Sequence, residues 1–304
     1  MVSQSLSARQ IGERSDCLDL VGLSPLMARA SGRPEISIGL IDGPVALSHA
    51  DLLKSSIRQI RGNLPGSCVD SSNTACAHGT FVAGVLVARR GSEAPAICPG
   101  CSLLVRPIFA EAIPEGELLP SATAEQLAAA IVEVSDAGAR IVNLSLALQG
   151  PSSKGESALE YALNHALRRG VMVVAAAGNQ ATIGGSAITR HPWVIPVVAH
   201  DLRGRPMDMS NLCTSIGRRG LGAPGEAITS LGTMTKPLTM SGTSAATAFV
   251  TGAAALIWSE FPDASAAEVK LTITQVAARR RNSIVPPLLN AWAAYEAITR
   301  IHRH

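Results

Sequence analysis

Three residues of this 304-residue chain stand where side-chain chemistry is easiest to do. Asp42 closes the run Ile38-Gly39-Leu40-Ile41-Asp42-Gly43, so a buried strand would deliver a carboxylate to its carboxyl end. His78 opens His78-Gly79-Thr80-Phe81-Val82-Ala83-Gly84, an imidazole at the mouth of an apolar helix, with Gly79 leaving room for a substrate backbone. Ser244 lies in Ser241-Gly242-Thr243-Ser244-Ala245-Ala246-Thr247, ahead of an apolar helical stretch through Trp258. Singly, each has an ordinary structural role: turn cap, core histidine, helix N-cap. Together they are an acid, a base and a nucleophile in the chain order of one known solution to acyl transfer. A serine hydroxyl is a weak nucleophile, so His78 must accept its proton during attack and return it to the departing amine. Asp42 would fix the imidazole tautomer and stabilise the transient imidazolium. Backbone N–H groups at the start of the Ser244 helix could receive the charge that develops on the attacked carbonyl.

On the His-Gly-Thr and Gly-Thr-Ser-Ala-Ala-Thr motifs, the chain resembles the subtilase family of serine endopeptidases across roughly residues 36–295. Val173-Val174-Ala175-Ala176-Ala177-Gly178-Asn179 is similar to the family strand that ends in the oxyanion-binding Asn, which implies that role for Asn179. Ile141-Val142-Asn143-Leu144-Ser145-Leu146-Ala147 resembles the strand that pairs with the peptide and walls the specificity pocket, opposite Ala176, Ala177 and Gly178. Substrate binding is therefore expected at Asn143, Leu144, Ser145, Leu146, Ala147 and that second wall. Ala147 stands where the family usually has Gly. Its extra methyl should narrow the pocket or lift the substrate backbone, which argues against generic degradation of unfolded protein.

Most subtilases follow the catalytic Asp with Ser-Gly or Thr-Gly, whereas this chain reads Asp42-Gly43-Pro44-Val45. That variant, with the segment from Cys98-Pro99-Gly100-Cys101 to Phe109, is similar to the proteases that mature cyanobactin-type ribosomal peptides. Those enzymes cut a leader from a precursor, and a ring-closing subgroup carries a helical insertion near the catalytic His. Only the loop Arg89 to Ala96 precedes Cys98 here, so hydrolysis is expected. The resemblance thus implies a serine endopeptidase that processes a peptide precursor through an acyl-enzyme, without a cofactor. A housekeeping subtilase and a non-cleaving peptide-binding scaffold are the alternatives. The family's calcium sites are not expected: Asp51 matches one ligand, but the loop that should supply the other oxygens begins Arg89-Arg90.

The elements that must position these residues are legible as apolar runs. Ile36–Ile41, Leu103–Ile108, Arg140–Leu148, Val171–Ala177 and Trp193–Ala199 read as buried strands. Between them, 123–137 opens with the capping pattern Thr123-Ala124-Glu125-Gln126, and 156–169 places Leu159, Leu163 and Leu167 on one helix face. Strand and helix in alternation predict an α/β protein of three layers, a mainly parallel central sheet with helices on both faces, as in subtilisins. Stretches 62–66, 111–121 and 203–225 read as loops. The expected organisation is an extension over 1–35 and one peptidase domain over 36–304.

Composition agrees: 47% hydrophobic residues supply a large core, and a net charge of +3 with scattered cations does not indicate nucleic-acid binding. The run Arg279-Arg280-Arg281 would complement the carboxyl end of a helical stretch from Ala266 to Ala278. Residues 1–35 show no secretory signal and leave too little length for an inhibitory pro-domain, and no run is long enough to span a bilayer. A cytoplasmic location, or a chain already processed, follows as the expectation. Of six cysteines, Cys98 and Cys101 have the spacing of half a zinc site with nothing to complete it, whereas Cys68 and Cys76 could close a loop just before His78 or stay as free thiols.

Overall fold

The computed structural model describes residues 16–111, 122–145, 155–275 and 283–302. Its centre is a seven-stranded sheet in the order β2-β3-β1-β4-β5-β6-β7, with every pair parallel. The strands are β1 Ser37–Asp42, β2 Ile57–Gln59, β3 Ser102–Pro107, β4 Ile141–Leu144, β5 Met172–Ala176, β6 Val194–His200 and β7 Leu221–Pro224. All but β2 are buried almost throughout, as strands covered on both faces must be. A short antiparallel pair, β8 Ile228–Ser230 and β9 Leu238–Met240, stands apart.

The helices are α1 Leu23–Arg29, α2 Thr74–Val87, α3 Ala124–Asp136, α4 Glu156–Arg168, α5 Ala187–Arg190, α6 Thr214–Arg219, α7 Thr243–Glu260, α8 Ala266–Gln275 and α9 Ala291–His302. One hydrophobic cluster joins the sheet to α2, α7 and the helices around them, and a second joins its other face to α3 and α4. The expected three layers are therefore present. Thr123 caps α3 in a reciprocal box with Gln126, as its sequence predicts.

Residues 16–30, read as part of an extension, bury Cys17, Leu18, Val21, Leu23 and Leu26 in the same cluster as the sheet. The stretch 203–225 is not all loop, since it contains α6 and β7. The helix from Ala266 is described to Gln275, and Arg279-Arg280-Arg281 lie outside the described residues. No described helix is long and apolar enough to cross a membrane.

Candidate active site

The order in which strands are laid down reverses at β1: β2 and β3 lie on one side of it, and β4 to β7 on the other. The carboxyl ends of strands beside such a reversal form a natural crevice. Asp42 is the last residue of β1, and its side chain is fully buried. Its Oδ1 accepts from the Gly43 N–H at 2.6 Å and lies 2.6 Å from His78 Nδ1. Its Oδ2 is buried without a hydrogen-bond partner among the described residues.

Two glycines let the strand and the histidine helix come this close. A Cβ on Gly43 would lie 2.0 Å from the Ala75 carbonyl oxygen, and one on Gly79 would lie 2.5 Å from the carbonyls of both Gly43 and Pro44. The room at Gly79 is thus filled by the chain's own backbone and not left for a substrate, which corrects the sequence expectation. Asn73 caps α2 through Oδ1, accepting from Ala75 N at 2.8 Å and Cys76 N at 3.4 Å. A Cys68–Cys76 disulfide closes the preceding loop, and the Glu111 carboxylate accepts from the N–H groups of Val69 and Asp70. Burial disfavours a charged His78 ring, but attraction to Asp42 and the hydrogen bond between them outweigh it, so the His78 pKa is raised above its ordinary value.

Ser244 is the second residue of α7. It and Glu260 are the two residues of that helix that are not buried. Gly242 ahead of it has φ 138°, and a Cβ there would come within 2.9 Å of Asn179 Nδ2. Asn179 follows β5 by three residues, and its Oδ1 accepts from both the N–H and the hydroxyl of Thr243, each at 2.9 Å. With the oxygen held, Nδ2 remains as the donor for an oxyanion. Asn211 secures the same loop, donating to the Ala177 carbonyl at 3.2 Å and accepting from Gln180 N and Thr182 N.

The predicted peptide-binding segment divides. Asn143 and Leu144 are fully buried, so their side chains do not face a substrate, whereas the Ser145 carbonyl points to Ser244. Ala176 and Ala177 are nearly buried behind Gly178, whose N–H donates to Thr243 Oγ1 at 3.3 Å. Leu146 and Ala147 lie outside the described residues. Sequence reasoning passed over Thr243, which sits inside a motif already noticed, and Asn211, which carries no local signal.

The residues around Asp51 do not fit a calcium site, because its Oδ1 pairs with Arg89 Nη2 at 2.8 Å, a cation where further oxygens are required. Among the described residues the one group of three metal-ligand types is Cys68, Cys76 and Glu111, and its two sulfurs are already joined. Cys98 and Cys101 are buried free thiols.

The family model described as the Subtilase family matches residues 33–290. Subtilisin DY of Bacillus licheniformis is 29% identical over 266 residues, covering 86% of this chain and 90% of its own. Among solved structures, a mutant of the protease domain of PatA has a TM-score of 0.82 at 28% identity, covering 90% of this chain and 98% of that one. Prenylagaramide maturation protease PagA has a TM-score of 0.77 at 26% identity, with the same coverage of 90% and 98%.

Proposed function

Since the chain belongs to the subtilase family, and is a subtilisin-like serine protease, we propose that it removes the leader from a ribosomal peptide precursor by hydrolysis. The observation that carries this reading is the likeness, over nine-tenths of the chain, to PagA, a maturation protease by name. In this reading Ser244 attacks the scissile carbonyl while His78 takes its proton, and Asp42 holds the ring. Asn179 and the Ser244 N–H bind the oxyanion, and water then releases the acyl group. The peptide lies along Ser145 and against Gly178.

Hydrolysis is favoured over ring closure because α2 ends at Val87 and β3 begins at Ser102, with no helix between them to shield the acyl-enzyme. The Cys68–Cys76 bond favours an oxidising compartment over the cytoplasmic one expected from residues 1–35. The test compares a leader-bearing ribosomal precursor peptide with casein. One cut at the leader boundary, with casein left whole, is the expected result. Casein reduced to small peptides would favour a general degradative protease instead.

A further inference from the structure

One motif takes no part in peptide-bond chemistry, Cys98-Pro99-Gly100-Cys101. The Cys101 N–H donates to the Cys98 carbonyl at 3.0 Å, closing a tight turn in which Pro99 fixes φ at the second position. The Cα atoms at the two ends of such a turn are less than about 7 Å apart, within reach of a disulfide. The two thiols already meet. Cys98 donates to Cys101 Sγ, which holds the Cys101 thiol below its ordinary pKa, while the same contact and burial push Cys98 well above. Both side chains are buried, and what covers them is backbone. The Gly100 N–H donates to the Ser31 carbonyl at 2.7 Å, and a Cβ on Gly32, at φ 90°, would lie 2.5 Å from Cys101 Sγ. Ser31, Arg33, Pro34 and Glu35 are exposed, so this strap is a single layer of chain between the sulfurs and water. It is fastened at either end: Arg90 Nη2 donates to the Ala30 carbonyl at 2.6 Å, and the Arg33 N–H donates to Ser259 Oγ on α7 at 3.1 Å.

We propose that Cys98 and Cys101 are a reversible dithiol–disulfide couple, opened to small-molecule disulfides when the Ala30–Arg33 strap lifts. Cys101 reacts first, because its sulfur lies directly under Gly32, whereas a Cβ at that position would come no nearer to Cys98 than 3.4 Å, at its Cβ. The hydrogen bond from Cys98 also favours the Cys101 thiolate. Cys101 loses its proton to solvent, its sulfur attacks one sulfur of the disulfide R–S–S–R, and RS⁻ leaves. Cys98 then loses its own proton and attacks Cys101 Sγ, expelling the second RS⁻. Two protein thiols are thereby oxidised by two electrons, and one disulfide is reduced to two thiols as each RS⁻ takes up a proton. A spacing that supplies only half of a zinc site is complete for this exchange, which needs two sulfurs and no metal.

The couple is independent of which peptide the enzyme cuts, so its test needs no substrate. The full chain is equilibrated with mixtures of glutathione and glutathione disulfide and quenched with N-ethylmaleimide in denaturant. Mass spectrometry then reads the peptide that carries both residues. Oxidising mixtures should leave neither Cys98 nor Cys101 alkylated and reducing ones should leave both alkylated, with the same curve retraced from either direction. Two alkylated residues at every ratio, or glutathione kept on one of them as the end product, would overturn the proposal. In Cys98→Ser glutathione should accumulate on Cys101, and in Cys101→Ser it should reach Cys98 about tenfold more slowly. The opposite ranking would reverse the order of attack. Arg90→Met and Gly32→Ala loosen the strap by different means, and each should speed oxidation of the pair about tenfold. Unchanged rates in both would show that the strap is not the gate. Fluorophosphonate labelling of Ser244 checks that each variant is folded.

Discussion

Asp42 uses its two carboxylate oxygens unequally, with Oδ1 meeting both His78 and the Gly43 N–H while Oδ2 meets nothing among the described residues. The tautomer and charge of His78 therefore depend on one oxygen. Replacing Asp42 by Asn should lower kcat by about 10⁴-fold, as loss of the orienting acid does in other triads. The pH profile gives a second readout. A protonated ring cannot accept the Ser244 proton, and Asp42 raises the His78 pKa, so the acid limb of kcat/KM should lie above the ordinary histidine value. In Asp42→Asn the attraction is gone and burial remains, so the limb of the residual activity should move to lower pH. An unmoved limb would show that it reports some other group. Asn179→Ala should lower kcat by about 10²–10³-fold with little change in KM, because its amide meets the substrate oxygen only as charge develops. An unchanged kcat would remove Asn179 from that role.

The distance from Asp42 to His78 is set by two elements that cross with no side chains between them, the β1 end at Gly43–Pro44 and the first turns of α2 at Ala75 and Gly79. Gly79→Ala places a methyl against two backbone carbonyls. It should cost about 1–3 kcal/mol in a urea midpoint. Activity at low urea should fall further than that loss of stability explains, because the wedge separates the acid from the base. Kinetics of the folded variant equal to wild type would show that the crossing matters for packing alone. At this scale the sequence was informative where elements are apolar throughout: β1, β3, β4, β5 and β6 each overlap their apolar runs, although β4 spans only Ile141–Leu144 of the run from Arg140 to Leu148. It was silent on β2 and on the β8–β9 pair, which are three residues each and so too short to carry such a run. Leu221-Gly222-Ala223-Pro224 is a poor strand by composition and becomes β7 by pairing with β6, a tertiary cause that no local window contains.

Across the whole molecule, α7 runs through the core with its flanks buried against β4 to β7 and α2, so the place of Ser244 is inherited from the packing of the sheet. Asp42, His78, Ser244 and Asn179 were legible because each sits in a compact local motif. The partners that hold them were not, since Thr251 meets Asn143 across 108 positions and Ser244 meets Ser145 across 99. The disulfide has a consequence of a different kind, for an enzyme that meets copies of itself at high concentration. Val69 is 81% exposed, and most of the short stretch around it faces solvent, an inviting target for self-digestion. A cut anywhere between Cys68 and Cys76 leaves the pieces bearing Asp42 and His78 tied by one covalent bond. Stored enzyme nicked there should run as one 31.4 kDa band on a denaturing gel without reductant and as two fragments with it. Separation of those two fragments without reductant would mean the tie is absent. The loop ahead of the histidine is thus a place where the enzyme can bite itself and remain a single molecule.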